Sequence, residues 1–410
     1  MLSLSRMCRL LYAAAEPFRY HCVYLSRDWD LYFLLRTLVD RPDLAARVSD
    51  LDIGVINKTR LVGYDSSGPV STTLAAVLEV LQNNGHGISQ PQASAAEPTC
   101  HAVLTWSALQ LIPNLGRLHL PTLGFASDAP FMSFMAASTS SSSSAPSLKT
   151  LAFSGLGAHS LLDQAGPIFK RAPNLEALHC HHHAYATVMF PAALGRMSMA
   201  DPQPMQNLTE LALVDTPMTA HSFRSLLNAV GPKLSRVRIR LRPVLPDRPR
   251  GMPGSPLVLE FVEALGNLVP WCLRIKDFSF TAPGMVLPQP NRHLTNALPG
   301  IYALEILCAQ AACFDLDGRI GPRRDALTST LPASIRELKL VGHGKLAPAL
   351  LGLVEALTAG RFARLRSIQV DDQDFGEEPV REQELQDAGA SFRAAGVAFI
   401  IRPMDHNIGP

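Results

Sequence analysis

Cysteine is scarce and poorly placed for cross-linking: the 410 residues hold 7, an odd number, and no C-x-x-C pair occurs. That excludes a disulfide framework and the common zinc modules, and it points to reduced thiols in a cytoplasmic or nuclear protein. Excess charge is lacking too. Lys and Arg total 37 against 35 Asp and Glu, a net charge of +2, which gives no basis for bulk attraction to nucleic acid or to an anionic membrane. No stretch approaches the about 18 continuous apolar residues of a membrane span. The run Leu10–Ala15 is shorter than the about 7–15-residue core of a secretory signal. Also missing are a Gly-rich phosphate loop, a G-x-S-x-G elbow and an H-E-x-x-H helix. Asp315-Leu-Asp317-Gly318 lacks the remaining ligands of a calcium loop. The expectation is a non-enzymatic chain without cofactor or metal.

What is present is a repeat. With 47% hydrophobic residues and only 18% charged, the chain has ample material for a core. Those residues recur as apolar, two residues, apolar, one residue, apolar. The strongest copies are PNLGRLHL (Pro113–Leu120), PSLKTLAF (Pro146–Phe153), PNLEALHC (Pro173–Cys180), QNLTELAL (Gln206–Leu213) and PKLSRVRI (Pro232–Ile239). Weaker ones are RVSDLDI (Arg47–Ile53), RIKDFSF (Arg274–Phe280), GIYALEI (Gly300–Ile306), SIRELKL (Ser334–Leu340) and RLRSIQV (Arg364–Val370). They return about every 30 residues, slightly looser than the about 20–29 of leucine-rich repeats.

The last two apolar positions of each copy lie two apart, so they face the same side of a short strand. Amphipathic spacing over Thr219–Val230, Pro256–Leu268, Lys345–Ala359 and Pro379–Ala395 predicts helices between strands. A strand–helix unit cannot bury its apolar edge alone, so such units stack. The reading is α/β: a leucine-rich-repeat solenoid with a curved parallel sheet on its concave face and helices outside. The Ser-rich run Ser133–Ser147, the polar Asn83–Thr99 and the Pro-rich Arg242–Pro256 and Thr281–Pro290 read as loops. The acidic run Asp371–Glu378 reads as a solvated turn.

The cluster His179-Cys180-His181-His182-His183 poses the question of a metal. In the repeat, Leu175, Leu178 and Cys180 take the buried positions and His179 and His181 the concave ones. His183 falls in the turn slot that leucine-rich repeats give to Asn, as does His343. Two imidazoles do not complete a zinc site, and His159 or His221 would have to arrive from neighbouring units. The reading is a polar strand without metal.

The exposed middle positions are Asp52, His119, Ala152, His179, Ala212, Arg238, Ser279, Glu305, Lys339 and Gln369. Around Arg238 the segment RVRIR adds Arg236 and Arg240, a guanidinium stripe suited to carboxylate or phosphate. Glu210 and Asp277 lie close enough in the pattern to pair with it. The partner-binding residues expected from this reading are His179, His181, Arg236, Arg238 and Arg240, facing an unknown protein.

At the start of the chain LSLSRMCRLLYAAAEPFRYHCVYL resembles the C-terminal half of an F-box, in Leu4, Ser5, Arg6, Met7, Cys8, Arg9, Pro17, Tyr20, Val23 and Leu25. The following YFLLRTLVDRPDLAARVSDLDI is similar to the linker and first repeat of fungal F-box/leucine-rich-repeat proteins, in Arg36, Leu38, Pro42 and Leu44. Met1 falls after the Leu-Pro-x-Glu helix that opens such sequences, so the resemblance is to an N-terminally truncated F-box. It implies a partial F-box-like helical segment over 1–26, a linker helix over 27–46, the solenoid over 47–401 and a flexible tail over 402–410. It further implies a substrate-recognition subunit of a cullin-based SCF ubiquitin ligase. That subunit would meet a Skp-type adaptor and cullin through Leu4, Met7, Cys8 and Pro17. The alternative is a leucine-rich-repeat scaffold with no ligase association.

Overall fold

The repeat written in the sequence becomes a ladder of nearly identical hydrogen bonds. In the computed structural model one backbone carbonyl per repeat accepts two successive amides of the next. Gly116 and Arg117 donate to Ser49 at 2.7 and 2.9 Å, and Lys149 and Thr150 to Gly116 at 2.8 and 2.9 Å. Further along, Ser235 and Arg236 donate to Thr209, each at 2.9 Å, and Arg336 and Glu337 to Glu305 at 2.7 and 3.0 Å. The structure describes residues 20–25, 28–53, 79, 108, 111–122, 147–155, 169, 172–181, 205–214, 226, 230, 233–240, 274–281, 296, 298–314, 323–342, 346–372 and 379–403.

The chain divides into two compact units, Met1–Ala184 with Pro191–Leu208, and Tyr185–Phe190 with Thr209–Pro410. The first unit holds β1 (Cys22–Leu25), β2 (Asp50–Ile53), β3 (Arg117–Thr122), β4 (Thr150–Gly155) and β5 (Ala177–His181). Each pairs in parallel with the next in chain order. The second holds β6 (Glu210–Val214), β7 (Arg236–Arg240), β8 (Asp277–Thr281), β9 (Ile306–Gln310), β10 (Glu337–Val341), β11 (Ser367–Asp372) and β12 (Ala398–Pro403). These too pair in parallel, in chain order. An α/β fold of sequentially ordered parallel strands is what stacked strand–crossover units produce.

The inner side of the strands is apolar throughout. Leu51, Leu118, Leu151 and Leu178 align in the first unit, and Leu211, Val237, Phe278, Leu307, Leu338 and Ile368 in the second. All of these are at most 1% exposed. Each buried side chain of this kind is worth about 1.5–3 kcal/mol, before the entropy of ordering it.

The helices that accompany the strands among the described residues include α1 (Asp28–Asp40), α2 (Pro42–Ala45), α3 (Leu346–Thr358) and α4 (Pro379–Ala394). In α3, Leu346, Ala349, Leu350, Leu353 and Ala356 are buried at helical spacing. Gly352 lets that face approach a neighbouring backbone closely, because a Cβ there would lie 2.0 Å from the Arg324 carbonyl oxygen. Both long C-terminal helices stop in the same way. Gly360 (φ +79°) and Gly396 (φ +80°) take the left-handed conformation, with Arg361 and Val397 donating back to Ala356 and Phe392, both at 2.9 Å. These are Schellman ends, for which glycine carries no Cβ penalty. No helix of the described residues is long and apolar enough to cross a membrane.

Several expectations change. Cys22–Leu25, inside the segment expected to be helical, is strand β1 paired to β2. The helices over Asp28–Ala45 thereby become the crossover between those parallel strands, which geometry requires. The repeat at GIYALEI shifts by three residues. Leu304, not Ile301, begins it, since the Leu304 amide donates to the Ile301 carbonyl at 3.0 Å, just as Leu175 does to Ala172 at 3.1 Å. Glu305 therefore leaves the exposed middle row, and Cys308 enters it between Ser279 and Lys339. Asp371 and Asp372 extend β11 instead of opening a turn, and β12 runs to Pro403, past the expected start of the tail.

Candidate functional site

Alternation places every second side chain of each strand on the face opposite the core. In the first unit the middle row of that face reads Tyr24, Asp52, His119, Ala152, His179. In the second it reads Ala212, Arg238, Ser279, Cys308, Lys339, Gln369, Ile400.

The arginine stripe is in place and largely occupied. Glu210, Arg236 and Asp277 align in register. Arg236 contacts Glu210 at 2.7 Å and Asp277 at 3.2 Å, while Arg238 meets Asp277 at 3.7 Å. The hydrogen bond to Glu210, then its charge, raises the Arg236 guanidinium above its ordinary pKa. Arg236 thus spends its fork on two carboxylates. Arg238, at the longer contact and 53% exposed, and Arg240, half-buried at the strand end, are freer to meet an anion. Farther along the row, Lys339 pairs with Asp371 at 2.6 Å, and Gln369 donates to the same carboxylate at 2.6 Å.

The histidine cluster resolves as a strand. Cys180 is wholly buried on the core side, where desolvation raises its thiol pKa. His179 and His181 lie half-buried on the opposite face, ring centroids 6.4 Å apart and tilted by 43°. No group of three metal-ligating side chains occurs among the described residues. His159, His182, His183, His221 and His343 lie outside those residues, as do the adaptor candidates Leu4, Met7, Cys8 and Pro17.

Sequence reasoning missed a polar chain that links three strands of the face. His119 Nδ1 lies 2.7 Å from Asp52 Oδ1, and its Nε2 lies 2.8 Å from Ser154 Oγ. These residues come from β2, β3 and β4. Asp52 and His119 are neighbours in the middle row, and Ser154 stands two residues past Ala152 on the same face. His119 and Asp52 are partly exposed, whereas Ser154 is buried at 5%. The signal was available in register: writing the repeats one under another brings an acid, an imidazole and a hydroxyl together. A local motif search does not see it.

A second series supports this face from the turns. Asn114 Nδ2 donates to the Ala46 carbonyl at 2.7 Å, Ser147 Oγ to Pro113 at 2.9 Å and Asn207 Nδ2 to Pro173 at 2.8 Å. All three stand immediately before the first apolar residue of a repeat, each reaching back to the preceding one. They satisfy carbonyls that the parallel ladder leaves open. No protein-family model matches the chain, and no curated protein matches it.

Proposed function

We propose that this protein is a leucine-rich-repeat protein–protein interaction module, serving as the F-box-type substrate-recognition subunit of a cullin-based ubiquitin ligase. The observation that supports the interaction role is the contrast between the two faces of each strand. Inner positions stay Leu, Ile, Val or Phe with few exceptions, while the outer middle row changes chemistry from strand to strand. A repeat array needs only its inner rows to stack, which leaves the outer rows to encode a partner. On this reading Arg238 and Arg240 contact acidic groups of the partner, with His179 and His181 beside a separate part of it. The ligase role rests on the resemblance at Leu4, Met7, Cys8 and Pro17. The second reading is a scaffold that binds partners without the ligase.

The test is purification of the full chain from its own cells, probed for a Skp-type adaptor and a cullin. Both should co-purify, and replacing Leu4 and Met7 by Ala should remove them while partner capture persists. Replacing Arg236, Arg238 and Arg240 together by Ser should have the converse effect. Capture of a partner with neither adaptor nor cullin would leave the scaffold.

A further inference from the structure

The Asp52–His119–Ser154 chain has a direction. An ionised carboxylate only accepts hydrogen bonds, so at 2.7 Å it is Nδ1 of His119 that carries the proton. In the neutral ring Nε2 then holds the lone pair, and Ser154 at 2.8 Å must be the donor. The serine proton is aimed at a base, and that base is held in one tautomer by a carboxylate. These are the conditions under which a hydroxyl becomes a nucleophile.

We propose that Ser154, with His119 as its general base and Asp52 as a positioning residue, forms a covalent site that takes small acyl groups from carboxylic esters. It would add chemistry to a module that the sequence alone led us to expect has none. It is independent of any ligase role. The size class follows from the surroundings. Ala152 presents only a methyl group between His119 and His179, and Ser154 is 5% exposed, which suits a short acyl chain better than a polypeptide. Strand amides are engaged in the ladder, so polarisation of the acyl oxygen falls to a side chain. His181 stands beside Ser154 in register, about one strand spacing of 4.8 Å away, on the same face.

The reaction closes with an ester and water as its only reactants. Ser154 Oγ attacks the carbonyl carbon while its proton passes to His119 Nε2. The carbon–oxygen bond of the leaving alcohol breaks, and that oxygen takes the proton from the imidazolium. Water then gives a proton to Nε2 and attacks the acyl-serine. The carboxylic acid leaves, and Ser154 Oγ regains its proton.

The full chain should be treated with a fluorophosphonate probe and, separately, with p-nitrophenyl acetate, and the modified residue mapped by mass spectrometry. The expected result is a single adduct on Ser154 in both cases, abolished in S154A. A positioned general base contributes about 10²–10⁴-fold, so H119Q should slow labelling by that factor. D52N, which removes the tautomer lock, should slow it while the thermal midpoint stays near that of the unaltered chain. Labelling of Ser154 that is indifferent to H119Q, or a folded chain that leaves Ser154 unmodified, overturns the proposal. Should H119Q or D52N fail to fold, the unaltered chain decides alone. Ser154 must then react in preference to Ser49 and Ser147, and uniform labelling of the three overturns the proposal.

Discussion

The two units are built on the same ladder yet dress it differently. On the outer face of the first, a carboxylate, an imidazole and a hydroxyl join through hydrogen bonds, in the chain Asp52–His119–Ser154. On that of the second, opposite charges alternate across strands, Glu210–Arg236–Asp277 and then Lys339–Asp371. Directional hydrogen bonds specify atoms and tautomers. Half-exposed ion pairs are tolerant, weak and screened by salt. The first unit therefore carries a directional hydrogen-bonded chain, and the second a ladder of adaptable ion pairs.

The comparison breaks first in the core. If the ladder is shared, Leu151→Ala in the first unit and Leu338→Ala in the second should each cost about 2–5 kcal/mol, because each residue is at most 1% exposed. Hydrogen exchange of the strand peptides, read unit by unit, reports both losses. Tolerance of either change would mean that the unit concerned is not held by its inner row.

A smaller effect sharpens the account of the first unit. Asn114→Ala leaves the Ala46 carbonyl without its side-chain donor and should lower stability by about 0.5–1.5 kcal/mol. The urea midpoint should fall at unchanged slope. An unaltered midpoint would show that water replaces the amide at no cost.

The smallest effect separates the outer faces. Asp277→Asn unpairs Arg238 and leaves Arg236 with Glu210 alone. With both arginines about half exposed, the loss should stay within about 1 kcal/mol and vanish at high salt. Melting curves at low and high ionic strength test this, and a salt-independent loss would mean that Asp277 acts through packing.

The inner rows were legible because alternation needs only neighbours in sequence. Leu115, Leu118 and Leu120, or Leu175, Leu178 and Cys180, declare their side of the strand within a few residues, and the structure buries all six. The C-terminal helices were legible for a similar reason, with glycines just beyond their ends. At Gly300–Ile306 the same logic misled. Ile301, Leu304 and Ile306 fit the pattern, and so do Leu304, Leu307 and Ala309 three residues on; of these five residues only Ile306 is exposed. The pairing with β8 and β10 selects Leu304. Strand β1 escaped notice because Cys22–Leu25 is short and lies among residues resembling a helical motif.

The chain's own pattern was enough to place most core-facing side chains, to show that the strands are short and repeated, and to set His179 and Arg238 on the outer face. These properties follow from the two-residue period of a strand. Which of the neighbours on that face bond to one another was left to the folded chain. Asp52 and His119 are 67 positions apart, and His119 and Ser154 are 35 apart. Their meeting depends on the lateral register of three strands, which is set by hydrogen bonds between repeats and by the turns that end each crossover. Alternation carries no information about that register; aligning the repeats brings the three positions together on paper, and only the closed ladder joins them at 2.7 and 2.8 Å.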